Sequence, residues 1–188
     1  MEMRDQILVS AQRLVQQRGF NGFSYADIAV EVGIRKASLH HYFPTKTDLG
    51  LALIEVYSGR LNSALLNISG SSLSADAKLG AYIALYRSSL EAERMCLGGM
   101  LASEALTLDA AMLPSLKRFF IRNIEWLAEI LAEGKSQQLF MLSGSSMDHA
   151  RMLLSALQGA LLIARATGDC EAFEQTASAL VTGLTRKG

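Results

Sequence analysis

Two helix-capping patterns bracket a pair of short helices between Ser24 and Asp48, and no other stretch restricts the fold as strongly. In SYADIAVEVGIRKASLHHYFPTKTD, Ser24 stands three residues before Asp27. At that spacing a hydroxyl accepts an orphan backbone N–H and a carboxylate reaches back to the cap, so a helix starts there. Ile28, Ala29 and Val32 share one face, and Gly33, which tolerates a positive φ, closes the helix in a tight turn. A second helix is predicted from about Lys36 to Tyr42, with Leu39 and Phe43 as its buried stripe and Arg35, Lys36, Ser38, His40 and His41 on other faces. Pro44 stops it, because proline has no N–H and disfavours helical dihedrals at the preceding residue. Thr45 and Asp48 repeat the capping spacing and open the next helix. Lys46 in that first turn opposes the helix dipole unless an anion sits nearby, and with the free backbone N–H groups it forms the elements of a phosphate grip.

The residues Phe23 to Asp27, Ile28-Ala29, Val32-Gly33-Ile34, Ser38-Leu39 and the run His41-Tyr42-Phe43-Pro44-Thr45-Lys46, closed by Leu49, together form a specific pattern. It resembles the DNA-binding helix-turn-helix of the TetR/AcrR family of bacterial transcription regulators. The resemblance implies an all-α chain of about nine helices, with a helix-turn-helix domain over residues 1–46 and a helical effector-binding and dimerisation domain over 47–188. It also implies a homodimer formed through the last two helices, whose paired reading helices meet a pseudo-palindromic double-stranded DNA operator. The implied activity is repression relieved by a small-molecule effector. Within the reading helix, Arg35, Lys36 and Ser38 are the candidates for base edges and Ala37 for a thymine methyl. His40, His41, Tyr42 and Lys46 are the candidates for phosphates. Ser24 and Tyr25, at the start of the preceding helix, complete the predicted DNA-binding set. Two positions depart from the family pattern, histidine at 40 where tyrosine is common and alanine at 37 where glycine is common, and both bear on which bases are contacted.

The formal net charge is zero, so attraction to nucleic acid has to come from a local patch. Residues 1–50 hold six Lys/Arg against five Asp/Glu, but three of the basic residues (Arg35, Lys36, Lys46) fall between 35 and 46, while Asp27 and Asp48 are used as caps. Non-specific affinity is therefore expected to be modest and salt-sensitive. The N-terminus lacks a signal-peptide pattern, and the longest uncharged run near the end, Met152 to Ala164, is too short to span a bilayer, so a cytoplasmic protein without a membrane partner is expected. Two cysteines make no disulfide framework. No cluster has metal-ligand spacing, no Gly-rich phosphate loop is present, and two of the three histidines sit on the reading helix, so neither a cofactor nor an enzyme is expected. A helical protein-interaction domain without DNA binding would explain the amphipathic stretches but not the paired caps around a basic, proline-stopped helix.

In chain order, residues 4–18 place Ile7, Leu8, Ala11, Leu14 and Val15 on one stripe, with Arg4, Asp5, Gln12, Gln16 and Arg18 outside it and Gly19 closing the helix. The fourth helix is predicted from Lys46 to about Ile68, the fifth from Ala75, and the sixth after Cys96. The seventh runs from Pro114 to about Gly134 with Trp126 at its flank, the eighth from near Met147 to Thr167, and the ninth from about Glu171 to Thr185, leaving Cys170 in the turn. Gly98 and Gly99 are costly within a helix and point to close backbone approach or a cavity wall. The predicted effector pocket, on helices five to eight, comprises Tyr82, Tyr86, Cys96, Met100, Phe119, Phe120, Trp126 and Gln158, a set suited to an apolar or aromatic effector. Cys96 has a second reading: a thiol at a helix start two residues after Arg94 could respond to oxidants or electrophiles, making the protein a redox-sensing repressor, whereas the plain reading is a small buried hydrophobe.

Overall fold

The computed structural model describes residues 2–185, and among them every regular element is helical. The order is α1 (Met3–Arg18), α2 (Tyr25–Val32), α3 (Lys36–Tyr42), α4 (Lys46–Ser69), α5 (Ala75–Glu91), α6 (Leu97–Ser103), a 3-10 turn (Ala110–Met112), α7 (Leu113–Ser136), α8 (Ser146–Thr167) and α9 (Cys170–Thr185). These nine α-helices gather into two compact units, Met1–Arg60 with Cys96–Phe119, and Leu61–Met95 with Phe120–Gly188.

The first unit is built on the capping patterns. The Asp27 carboxylate accepts from the Ser24 N–H and hydroxyl, both at 2.7 Å, which fixes where α2 begins. Gly33 ends α2 in the left-handed region (φ 73°), and its turn returns the Ile34 N–H to the Ala29 carbonyl at 3.0 Å. At α4 both halves of the box are made: Asp48 accepts from the Thr45 N–H at 2.9 Å, and Thr45 Oγ1 accepts from the Asp48 N–H at 3.1 Å. Ile7, Leu14, Ile28, Leu39, Leu49, Leu97, Leu101 and Met112 fill the core of this unit almost without exposure. Glu31 of α2 ties back to α1 through Arg13 and Ser10. Gln16, expected outside the α1 stripe, is buried, and its side-chain oxygen accepts from Gln12 Nε2 at 3.1 Å one turn earlier on the helix.

The second unit packs α5, α8 and α9 together with the α7 residues that belong to it. Tyr82, Leu79, Leu127 and Phe173 lie at its centre. Helix α8 begins at Ser146 because Ser145 and Asp148 form a third cap with Ser or Thr three residues before Asp, the Asp148 N–H donating to Ser145 Oγ at 3.1 Å. Helix α9 starts at Cys170, one residue before the predicted start, because Asp169 accepts from the Ala172 N–H at 3.1 Å; Cys170 is therefore helical and exposed. Gly168 ends α8 with φ 71°. No helix among the described residues is long and apolar enough to cross a membrane.

One buried charge in this unit escaped the hydrophobic pattern. Lys78 is 7% exposed on α5, and its ammonium donates to both carboxylate oxygens of Glu133 on α7 at 2.9 Å. Removing the carboxylate strands a cation that has lost most of its water. Because Glu133 itself is partly solvated, the Glu133→Ala protein should unfold with about 2–3 kcal/mol less free energy than wild type, read from urea denaturation.

Candidate nucleic-acid interface and effector region

Seven residues make α3 and only Leu39 among them is buried, so the helix is held at one point while the rest of its surface faces outward. Phe43, 3% exposed, extends the anchor by one turn. Arg35 caps the helix in extended conformation (φ −73°, ψ 142°), and Arg35, Lys36, Ala37, His40, His41 and Tyr42 are exposed, with Ser38 half-buried. The first turn of α3 carries no acid. On α1 the basic side chains are engaged: Arg13 with Glu31, Arg18 with Asp27 at 3.8 Å, and Arg4 over the Phe43 ring at 5.4 Å. Arg35 and Lys36 form no ion pair among the described residues, so the start of α3 presents two cations that no carboxylate neutralises.

Three predicted DNA-binding residues are placed differently from the exposed row. Tyr25 is 6% exposed; its one hydroxyl hydrogen is shared between the carbonyl oxygens of Thr45 at 2.6 Å and Phe43 at 2.9 Å, so it ties α2 to the turn that follows α3. Lys46 is turned inward, with Nζ donating to the Phe23 carbonyl at 2.5 Å and lying 4.4 Å and 4.9 Å from the Phe23 and Phe20 ring centroids. Burial holds its pKa below the ordinary lysine value, against the opposing pull of Glu104 and Asp27. His40 is exposed but folded back, its ring 4.9 Å from Tyr25 and its Nδ1 3.1 Å from the Pro44 carbonyl. Ser24 is exposed and serves as the α2 cap. The inward turn of Tyr25 follows from its place as the first residue after that cap, on the same face as Ile28.

The predicted effector residues fall into two groups, one in each unit. In the second unit Gln158 Nε2 donates to the Tyr86 hydroxyl at 3.2 Å, and the Tyr82 hydroxyl donates to Asn123 Oδ1 at 3.2 Å. The two tyrosine hydroxyls are 3.1 Å apart. Since the Tyr82 hydrogen is committed to Asn123, the Tyr86 hydroxyl must be the donor between them, and the bonds run one way from α8 through α5 to α7. Trp126, placed at the flank of its helix by sequence, is buried instead, stacked on Tyr82 at 5.3 Å, and its Nε1 donates to Ser69 at 2.8 Å. That acceptor makes burial of an indole N–H affordable. Asn123, 3% exposed, was not anticipated; an amide within an apolar helical stripe is the signal that could have found it. Phe120 is half-buried on α7.

In the first unit Cys96 is 6% exposed and accepts from the Tyr57 hydroxyl at 3.7 Å, while Tyr57 lies 5.8 Å from Phe119. Met100 is half-buried on α6. Gly98 is explained by close approach: a Cβ there would stand 2.2 Å from Phe119 Cε1, so the aromatic ring occupies the room that glycine leaves.

Tyr25 gives this region a measurable alkaline limit. Burial, with Asp48 adding to it, raises its pKa from 10.0 to about 12. The folded state thus favours the neutral phenol, and its contribution is complete below pH 10 and is lost as the pH rises from 10 to about 12. Tyr25→Phe should cost about 1–2 kcal/mol at neutral pH and remove this part of the alkaline decline, as followed by urea unfolding across that range.

Comparison with known proteins agrees with the geometry. The sequence model for bacterial regulatory proteins of the tetR family matches residues 7–53, which hold α1 to α3 and the start of α4. A TetR-family transcriptional regulator from Agrobacterium tumefaciens is 31% identical, with a TM-score of 0.94 and 98% of each chain covered. A TetR transcriptional regulator from Legionella pneumophila is 34% identical over the same shares, with a TM-score of 0.90. The transcriptional repressor NemR of Escherichia coli is 24% identical over 177 residues, 92% of this chain and 89% of that one, and its reduced form shares the fold with a TM-score of 0.83. With the capped helix pair, the exposed basic α3 and relatives that align from end to end, the chain belongs to the TetR family and is a helix-turn-helix transcriptional regulator.

Proposed function

We propose that this regulator is a homodimeric repressor that leaves a pseudo-palindromic operator when a small apolar or aromatic effector binds. The observation that carries the DNA half is the face of α3, where Arg35 and Lys36 are exposed without an ion-pair partner among the described residues beside Ala37 and Ser38. Arginine and lysine suit the guanine edge, serine bonds to several bases, and the alanine methyl suits thymine. His41 and Tyr42 flank them for the sugar-phosphate backbone. In this reading residues 1–46 read DNA, and residues 47–188 bind effector and dimerise. The name of NemR as a repressor supports the sign of the regulation.

Two features support dimerisation through α8 and α9. Met152, Leu162 and Ile163 are more than half exposed on α8, and a Cβ on Gly159 or Gly183 would meet nothing within 4 Å. The packing of a single chain therefore does not require these glycines, whereas a closely approaching partner helix does. A two-fold pair would set the reading helices about one DNA turn, roughly 34–36 Å, apart. The effector reading rests on the aromatic side chains Tyr82, Tyr86 and Trp126 with Gln158, where π faces and a short run of polar groups lie together. Cys96 is favoured as a core residue rather than a redox sensor, because its thiol is buried and packed beside Tyr57.

Selection of bound duplexes from random DNA should return an inverted repeat. For that repeat, Lys36→Ala should weaken binding about tenfold and lower the log–log salt slope by about two, one phosphate-scale contact per subunit, with thermal unfolding unchanged. A Lys36→Ala protein with wild-type affinity and salt slope would remove α3 from the interface. Gly159→Glu should convert the sedimenting species to a monomer and abolish high-affinity binding; a dimer that persists places the interface elsewhere.

A further inference from the structure

We propose that Glu104 is a positioning residue for DNA reading: its carboxylate locks the loop between α1 and α2 to the end of α6, so that the reading helices follow α6. This deepens the repressor reading above and rests on it.

All of the contacts involved lie within the first unit. Glu104 immediately follows α6, a helix seated by Leu97 and Leu101, each 1% exposed. Its two carboxylate oxygens accept from consecutive backbone N–H groups far away in sequence, Phe20 at 2.5 Å and Asn21 at 3.1 Å. Those groups are available because α1 has just ended at Gly19, whose φ of 83° turns the chain out of the helix. A Cβ on Gly19 would stand 2.9 Å from Glu104 Oε1, so the glycine both makes the turn and leaves room for the carboxylate. Beside this pair, Asn21 Nδ2 donates to Thr107 Oγ1 at 2.8 Å, and Thr47 in the first turn of α4 donates to Asp109 at 3.1 Å. Residues 104–109 thus hold the α1–α2 loop and the start of α4 through directed bonds.

The chemistry explains why directed bonds matter here. Apolar packing between α6 and α1 is non-directional, and such a contact can slide by a fraction of a residue at little cost. Bonds from two amides to one ionised carboxylate are short, strong and fixed in geometry. Asn21 leads within three residues to the Ser24 cap of α2, and α3 follows across the Gly33 turn. A displacement of α6 is therefore handed to the reading helices instead of being absorbed at the contact. An effector can alter DNA affinity only by favouring one arrangement of such a coupled set over another.

The test uses the full chain, as wild type and as Glu104→Gln. Glutamine keeps the size of the side chain and one acceptor but turns an NH2 toward one of the two amides. Both proteins are titrated with duplexes carrying the inverted repeat selected by wild type, with the half-sites moved one and two base pairs closer or further apart. The expected result is that Glu104→Gln binds the preferred spacing about tenfold more weakly, while the other spacings change little, so the spacing preference flattens. The Phe20 and Asn21 amides should exchange with solvent faster, and the thermal midpoint should stay within about 3 °C of wild type. A spacing profile identical to wild type overturns the proposal. So does a uniform loss at every spacing with a lowered midpoint, which would mark Glu104 as merely stabilising. A wild-type protein that selects no inverted repeat overturns the repressor reading and this inference together, whereas a repeat bound alike by both proteins overturns only the clamp.

Discussion

A helix of seven residues is not stable alone in water, because nucleation costs more than so few hydrogen bonds return. Helix α3 exists because its neighbours hold it, and much of the first unit is organised to do so. Leu39 and Phe43 supply the apolar anchor, Pro44 ends the helix before it can extend, and Tyr25 reaches from α2 to the carbonyls of Phe43 and Thr45. The anchoring is one-sided, which leaves the remaining surface of the helix free to present Arg35, Lys36 and their neighbours. Stability and presentation are thus supplied by different faces of the same short element.

The sequence revealed most where local chemistry alone decides structure. The boxes at Ser24 and Thr45, the turn at Gly33 and the stop at Pro44 depend on residues at most four apart, and the helix ends fall where those rules put them. The same rule was available at Ser145-Asp148 and Asp169, where it sets the starts of α8 and α9. What the sequence did not reveal depends on tertiary partners. Periodicity alone cannot place Trp126, Lys78 or Gln16 inside, because each needs a specific polar partner there: Trp126 and Lys78 donate to Ser69 and Glu133, and Gln16 accepts from Gln12. Tyr25 and Lys46 matched a family pattern on the DNA side, yet their contacts run inward, since a phenol and an ammonium satisfied by carbonyls and aromatic rings have less reason to face solvent.

The second unit follows a different plan. Its centre is aromatic and polar together, with Tyr82, Tyr86, Asn123 and Gln158 joined by bonds whose direction is fixed by the single hydrogen on each hydroxyl. Such directed bonds constrain their partners' orientation as well as their distance. Apolar packing around them, from Leu79, Leu127 and Phe173, is more forgiving. The polar string therefore fixes how α5, α7 and α8 register within this unit more tightly than their leucines can.

The ring of His40 is held through one nitrogen by the Pro44 carbonyl. A carbonyl oxygen can only accept, so Nδ1 must carry the hydrogen it donates at 3.1 Å. That leaves Nε2 of the neutral ring as a lone pair, which repels a phosphate oxygen and complements an exocyclic amino group of adenine or cytosine. The tautomer favoured by the Pro44 carbonyl thus sets the hydrogen-bonding polarity of the ring edge that His40 leaves exposed.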